Sequence, residues 1–235
     1  MDSQGRARSK AVVLVSGGLD SCVVAAVARR SHDLALLHLQ YGQRTEAREL
    51  RAFHAIADHF GTSDRMVSRL GHLKEMGGSA LTDPARAVPA GDLDRREIPP
   101  TYVPFRNGNF LSVAVSWAEV LGVRKVYIGA VEEDGSGYPD CRAEFLRAFD
   151  RVIALGTRPD SGIRVEAPLV GWKKARIVGE GIRLGAPLHL TWSCYRYEDR
   201  ACGTCDSCLL RLRAFQEAGK TDPLPYRTET GLPSP

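Results

Sequence analysis

At 235 residues, 43% of them hydrophobic, the chain can bury one good core with a small appended module. Its formal net charge of +4 suits an anionic substrate and is too mild to argue for a nucleic-acid partner. No apolar stretch approaches the roughly 20 residues of a membrane span, and residues 1–10 are basic and polar, so neither a membrane partner nor a signal peptide is expected and the chain reads as cytoplasmic.

The first element is the apolar run Ala11-Val12-Val13-Leu14-Val15, a buried parallel strand that Gly17-Gly18 ends. Residues 21–30 follow as a helix with an Ala/Val face and with Arg29 and Arg30 at its negative end. Between them stands Ser16-Gly17-Gly18-Leu19-Asp20-Ser21. Glycines let the backbone approach an anion, free N–H groups at the helix start point at it, and the dipole favours negative charge, so this turn is a phosphate site. Ser16 and Ser21 add hydroxyl donors, and Asp20 can hold Mg²⁺ or orient the loop. The chain has neither Gly-Lys-Ser/Thr after this turn nor Gly-x-Gly-x-x-Gly, which removes the two commonest nucleotide loops.

Residues 34–40 read as a second buried strand, and residues 45–60 as a helix with Thr45 as N-cap and Ala47, Leu50, Phe53 or His54, Ala57 and Phe60 on one face. A short strand covers 65–68. Residues 71–104 break the rhythm: they hold nine glycines and prolines with little periodicity, and read as a structureless lid or binding loop. Residues 107–121 form an amphipathic helix with Phe110, Val113, Ala114, Trp117 and Leu121 inward, stopped by Gly122. A strand at 125–130, a helix at 143–155, a strand at 163–167 and a helix at 174–184 continue the alternation. It specifies an α/β fold, a Rossmann-like doubly wound parallel sheet with ligands beyond the carboxyl edge of the strands. The tail from 220 to 235, with four prolines, is a strap or a frayed end.

Near the other end Cys194, Cys202, Cys205 and Cys208 are spaced C-x7-C-x2-C-x2-C. Four such thiolates satisfy tetrahedral Zn²⁺ with no open position, which makes the site structural. An iron–sulfur cluster uses the same ligands and competes with zinc; a disulfide reading is weaker in a reducing compartment. Cys22 and Cys141 stand apart and read as small packed residues.

The turn at 16–21 resembles the pyrophosphate loop of N-type ATP pyrophosphatases, which cleave ATP between the α and β phosphates and transfer AMP to a substrate oxygen. Further segments are Tyr41-Gly42-Gln43-Arg44, Thr101-Tyr102-Val103-Pro104-Phe105-Arg106-Asn107 and Ser136-Gly137-Tyr138-Pro139-Asp140-Cys141-Arg142. With Thr191-Trp192-Ser193-Cys194-Tyr195 and Cys202-Gly203-Thr204-Cys205-Asp206-Ser207-Cys208, and in this order, they make residues 11–215 similar to the 7-cyano-7-deazaguanine synthase family of the queuosine pathway. The resemblance implies a basic tail at 1–10, an ATP pyrophosphatase-type domain (adenine nucleotide alpha hydrolase-like) at 11–190, a zinc-binding segment with a helix at 191–219, and the proline-rich tail. It also implies a carbon–nitrogen ligase that converts 7-carboxy-7-deazaguanine, ammonia and ATP into the nitrile through adenylated carboxylate and amide. Mg²⁺ and Zn²⁺ are the implied cofactors, and a homodimer the implied assembly.

On that resemblance Val15, Ser16, Gly17, Gly18, Leu19, Asp20, Ser21 and Cys22 cradle the nucleotide. Ser16, Asp20, Ser21, Lys174 and Arg106 act in catalysis, with Lys174, beyond Pro168-Leu169, on phosphate. Arg106, Asn107, Tyr138, Asp140 and Arg142 receive the substrate: Asp140 accepts from the amine and ring N–H of the base, and Arg142 pairs with its carboxylate. Taken by themselves, Lys174 is also an ordinary helix-start lysine beside Lys173, Asn107 an N-cap, and residues 134–142 a turn. Three positions depart from the family pattern: Phe105 for a glycine, Arg176 for a glutamate and Cys22 for a threonine. A related synthetase that stops at the amide shares most of these motifs. So do tRNA-modifying adenylating enzymes of thiolase or lysidine synthetase type, which want a basic surface or an added RNA-binding domain.

Overall fold

The structure, a computed structural model, describes residues 8–132 and 137–227. Expectations that fall on residues 1–7, on Asp134 and Ser136, and on residues 228–235 lie outside the described residues.

The apolar runs form a five-stranded sheet: β1 (Lys10–Leu14), β2 (Asp33–Gln40), β3 (Arg65–Arg69), β4 (Lys125–Tyr127) and β5 (Arg164–Glu166). The order is β3-β2-β1-β4-β5 and every neighbouring pair is parallel, so the winding reverses between β1 and β4. A crevice beyond the strand ends belongs at that switch point. Successive strand residues face opposite sides. Val12 and Leu14 of β1, with Ala35, Leu37 and Leu39 of β2, enter one core; Val13, Leu34 and Leu36 enter the other. Both faces being covered, these strands read as unbroken apolar runs.

On one face lie α1 (Leu19–Arg29), α2 (Glu46–His59) and α6 (Lys174–Arg183); on the other lie α3 (Gly71–Met76), α4 (Arg106–Leu121) and α5 (Ala143–Gly156). A last helix, α7 (Asp206–Glu217), adds Ala214 and Phe215 to the first group. Three expectations are corrected. Residues 71–104 are not structureless throughout, because α3 forms and seats Leu73 in the core. The fourth strand stops at Tyr127, since the chain then presses onto the turn at 16–21: a Cβ on Gly129 would lie 3.1 Å from the Ser21 nitrogen. On α4 Ala114 is buried and Phe110, Val113 and Trp117 pack partly buried against the core as expected, but Leu111, Val115 and Ala118 are buried more deeply and Leu121 stays 36% exposed. That helix also carries Val120, so its apolar pattern leaves the most deeply buried face open. The other elements fall where expected, to within a residue or two at their ends.

Residues 220–227 form a strap. Asp222 accepts a fork from Arg211 of α7, at 2.7 Å and 2.9 Å, with both side chains almost wholly buried. The same guanidinium donates to Thr191 Oγ1 at 2.7 Å and to the Leu188 carbonyl at 3.2 Å. Asp222→Ala leaves a buried cation without its partner, and a loss of about 3–5 kcal/mol of stability is expected, measured by urea denaturation.

Candidate active site

β1 delivers the chain to a turn that the glycines shape. Gly18 is the N-cap of α1 with no side-chain cap bond, so the first N–H groups of the helix remain available to an anion. Gly17 has φ +91, and a Cβ there would lie 2.6 Å from the Glu49 carbonyl of α2. Its own carbonyl accepts the Trp192 N–H at 2.8 Å. Ser16 Oγ accepts from the Gly18 N–H and meets Ser21 Oγ, each at 3.2 Å. Upstream, His38 Nδ1 bonds the Val15 carbonyl at 2.9 Å, and burial lowers this imidazole to about 4, so it stays neutral. Asp20 accepts from Lys174 Nζ at 2.6 Å through Oδ2, while its buried Oδ1 has no hydrogen-bond partner. An orphaned carboxylate oxygen beside a phosphate turn fits a Mg²⁺ ligand. Cys22 faces the core instead, and burial pushes its thiol up to about 12.

A cavity of about 260 Å³ opens over this turn at the carboxyl ends of β1, β2 and β4. Val15, Ser16, Gly18, Leu19, Asp20, Ser21 and Lys174 line its floor. Arg106, Asn107 and Tyr138 line its far wall with Phe110, Tyr41 and Tyr195. The Arg106 guanidinium lies 5.5 Å, 5.6 Å and 5.8 Å from the rings of Tyr41, Phe110 and Tyr138, and donates to the Tyr41 hydroxyl at 3.1 Å. Among the described residues no carboxylate stands within ion-pair distance of it. Phe105 sets this wall. It is the one described non-glycine residue with positive φ, at 54°, and this left-handed turn starts α4 so that Arg106 faces the cavity. A phenyl ring occupies this left-handed position, 54% exposed and edge-on to Phe145 at 5.7 Å.

Two substrate candidates stand elsewhere. Asp140 does not line the cavity: it is 3% exposed and accepts the Asn107 backbone N–H at 2.8 Å, a capping contact at the start of α4. Asn107 returns two bonds through Nδ2, to the Asp140 carbonyl at 3.1 Å and to Cys141 Sγ at 3.2 Å. Arg142 points to solvent beside Glu144 at 3.5 Å and does not line the cavity, because it is the extended residue just ahead of α5. Glu49, which sequence reasoning missed, does line it. Its carboxylate accepts from Gln43 Nε2 at 3.0 Å and from Thr45 Oγ1 at 2.8 Å. Burial pushes this carboxyl up, and the Gln43, Thr45 and Arg106 side chains pull it down. One signal was present: Glu49 interrupts the helical series that continues in the buried Phe53 and Ile56.

The sulfurs of Cys194, Cys202, Cys205 and Cys208 lie within 4.8 Å of one another, and all four residues are buried. Backbone N–H groups of Cys202 and Thr204 point at these sulfurs from 3.4 Å. Four converging thiols with N–H donors behind them fit a tetrahedral metal centre. The cluster also seats the long loop: Gly91 donates to the Thr204 carbonyl at 2.7 Å, and Arg95 to Asp206 at 3.0 Å.

The turn admits a sharp comparison between glycines. Gly17→Ala must strain the backbone and strike a carbonyl that cannot move, so it is expected to lose more than the roughly 1–2 kcal/mol of a left-handed alanine. Gly61→Ala, with φ +63 and open space around it, is expected to stay near that figure, both read by chemical denaturation.

Residues 10–219 match the family model described as queuosine biosynthesis protein QueC. A 7-cyano-7-deazaguanine synthase from Chlorobium phaeobacteroides is 53% identical over 218 residues, 92% of this chain and 96% of that one. One from Acidobacterium capsulatum is 53% identical over 223 residues, 93% of this chain and 97% of that one. Among solved structures an NMN synthetase from Francisella tularensis is similar at 15% identity and a TM-score of 0.44, over 80% of this chain and 66% of its own, too distant to carry function. The extent of the family match, over a sheet, turn and cysteine cluster in one order, leaves no doubt that the chain belongs to the QueC family of queuosine biosynthesis proteins.

Proposed function

We propose that this chain is a 7-cyano-7-deazaguanine synthase, a ligase that uses ATP and ammonia to turn the 7-carboxyl group of a deazaguanine into a nitrile. A carboxylate oxygen is a poor leaving group, so ammonia displaces it only after AMP has been attached. Ammonia then gives the primary amide with release of AMP. A second adenylation, on the amide oxygen, lets AMP leave again as the nitrile forms, the amide losing two protons. Each activation releases pyrophosphate, and each depends on positioning and on charge stabilisation at phosphorus.

The observation that carries this reading is the Arg106 guanidinium, set among three rings on the wall of the cavity that also contains the phosphate turn, with no carboxylate of the described residues against it. A cation in that setting calls for an anionic group on the ligand, and the substrate carboxylate supplies one. In this reading Ser16, Gly17, Gly18 and Ser21 hold the leaving pyrophosphate, Val15 and Leu19 line the nucleotide's place, and Lys174 works at the α-phosphate. Asn107 and Tyr138 complete the substrate wall, with Asp140 holding the start of α4 in position. Asp20 is the residue that would hold Mg²⁺, which when bound would neutralise charge on the phosphates. Zn²⁺ on the four cysteines would supply folding energy to 191–219 and no catalytic water. The division into 1–10, 11–190, 191–219 and 220–235, a cytoplasmic place and a homodimer complete the proposal. Among the described residues no helix is long and apolar enough to cross a membrane.

Incubation with ATP, ammonium and 7-carboxy-7-deazaguanine is expected to yield AMP and pyrophosphate by chromatography and the nitrile by mass. ADP as the nucleotide product would overturn the reading, and an amide as the final product would reassign the chemistry. Ser16→Ala and Asp20→Asn should each cut turnover about tenfold or more, the scale of one lost transition-state contact. Cys205→Ser is expected to lower the melting temperature and abolish bound zinc in elemental analysis; iron in an active preparation would count against zinc.

A further inference from the structure

Arg106 is not the only charged side chain on this cavity. Glu49 of α2 lines the same cavity, near enough to Arg106 for the guanidinium to pull its carboxyl down but outside ion-pair distance. Its backbone carbonyl is the group that packs against Gly17, so this part of α2 lies directly on the turn. Gln43 and Thr45, both buried, hold its carboxylate from the start of α2 with one neutral hydrogen bond to each oxygen. A carboxylate has about four lone-pair sites, so each oxygen can accept once more. No cation of the described residues is in ion-pair contact with it. Burial raises its carboxyl, the mark of a charge whose protein partners do not fully compensate it.

We propose that Glu49 is a specificity-determining residue of this site, its carboxylate accepting the paired ring N–H and exocyclic amine of the guanine-like base while Arg106 takes the acyl end. The inference rests on the reading of the cavity as a deazaguanine site. A guanine-type edge presents two parallel donors, which match two carboxylate oxygens. The corresponding edge of adenine presents one donor beside an acceptor, so a carboxylate there gains one bond and faces a lone pair. Glu49 therefore favours the substrate base over the nucleotide's own base, in a cavity that must receive both. Asp140 does not line the cavity, and its carboxylate caps α4 through Asn107.

Calorimetric titration of the wild type and of Glu49→Gln tests this with three ligands: 7-carboxy-7-deazaguanine, its analogue lacking the exocyclic amine, and ATP. Glu49→Gln is expected to weaken the deazaguanine about tenfold to a hundredfold and to leave ATP within about twofold. The analogue is expected to bind the wild type about tenfold or more weakly than the parent base, and to lose little further in the variant, since the bond is already missing. Equal binding of parent and analogue by the wild type overturns the proposal without need of any variant. A variant that loses ATP and retains the base overturns it as well, and gives Glu49 to the nucleotide. A wild type that binds neither base, while binding ATP, overturns the deazaguanine reading beneath it.

Discussion

The site depends on one close approach. Gly17 lies so near the Glu49 carbonyl that no side chain fits between them, and its own carbonyl receives the Trp192 N–H. Three distant parts of the chain meet at that residue: the end of β1, the start of α2 and the segment that carries the cysteines. The floor of the cavity is the phosphate turn, one side is Glu49, and Trp192, Ser193 and Tyr195 come from the third part. A change at this point would displace all three together, because packed elements move as units and not by gradual yielding.

The charged side chains of the interior fall into two kinds. Arg211 and Asp222 satisfy each other in a fork, and the remaining donors of Arg211 reach Thr191, Ser193 and a carbonyl. Such a pair is complete and ties the strap to α7. Arg106 and Glu49 are different: each is held by neutral partners, and each opens on the cavity. Burying a charge whose direct contacts are neutral costs stability, and a ligand that brings the complement recovers it on binding. The backbone of Phe105 belongs with them, since its left-handed conformation directs Arg106 to the wall.

The cysteine cluster bears on the site through its surroundings. Residues 88–95 lie against it by way of Arg196, Thr204 and Asp206. Arg48 of α2 stacks on Trp192 at 4.5 Å, which joins the same segment to the helix that bears Glu49. Ordering four sulfurs therefore also orders the long loop and one wall of the cavity. A site that makes no contact with the reacting atoms can still govern them through this packing.

Much of this molecule was legible in its residues. The turn at 16–21, the alternation of strands and helices and the cysteine spacing are local patterns, and local backbone chemistry or ligand geometry imposes each of them. Which residues of α4 are buried most deeply was not legible, because apolar residues ring that helix and only contact with the sheet selects among them. The placing of Asp140 and Glu49 was not legible for a related reason. Asp140 sits in a Gly- and Pro-rich segment beside Arg142, yet a backbone N–H at the start of α4 engages its carboxylate; Glu49 lies in an ordinary-looking helix, yet α2 packs its backbone onto the turn at Gly17. By itself the sequence determined the order of strands and helices, the glycine turn and the spacing of the four cysteines, since these follow from neighbours along the chain. Only the tertiary structure decided which buried charges are paired and which face the cavity, because that depends on partners brought from far along the chain.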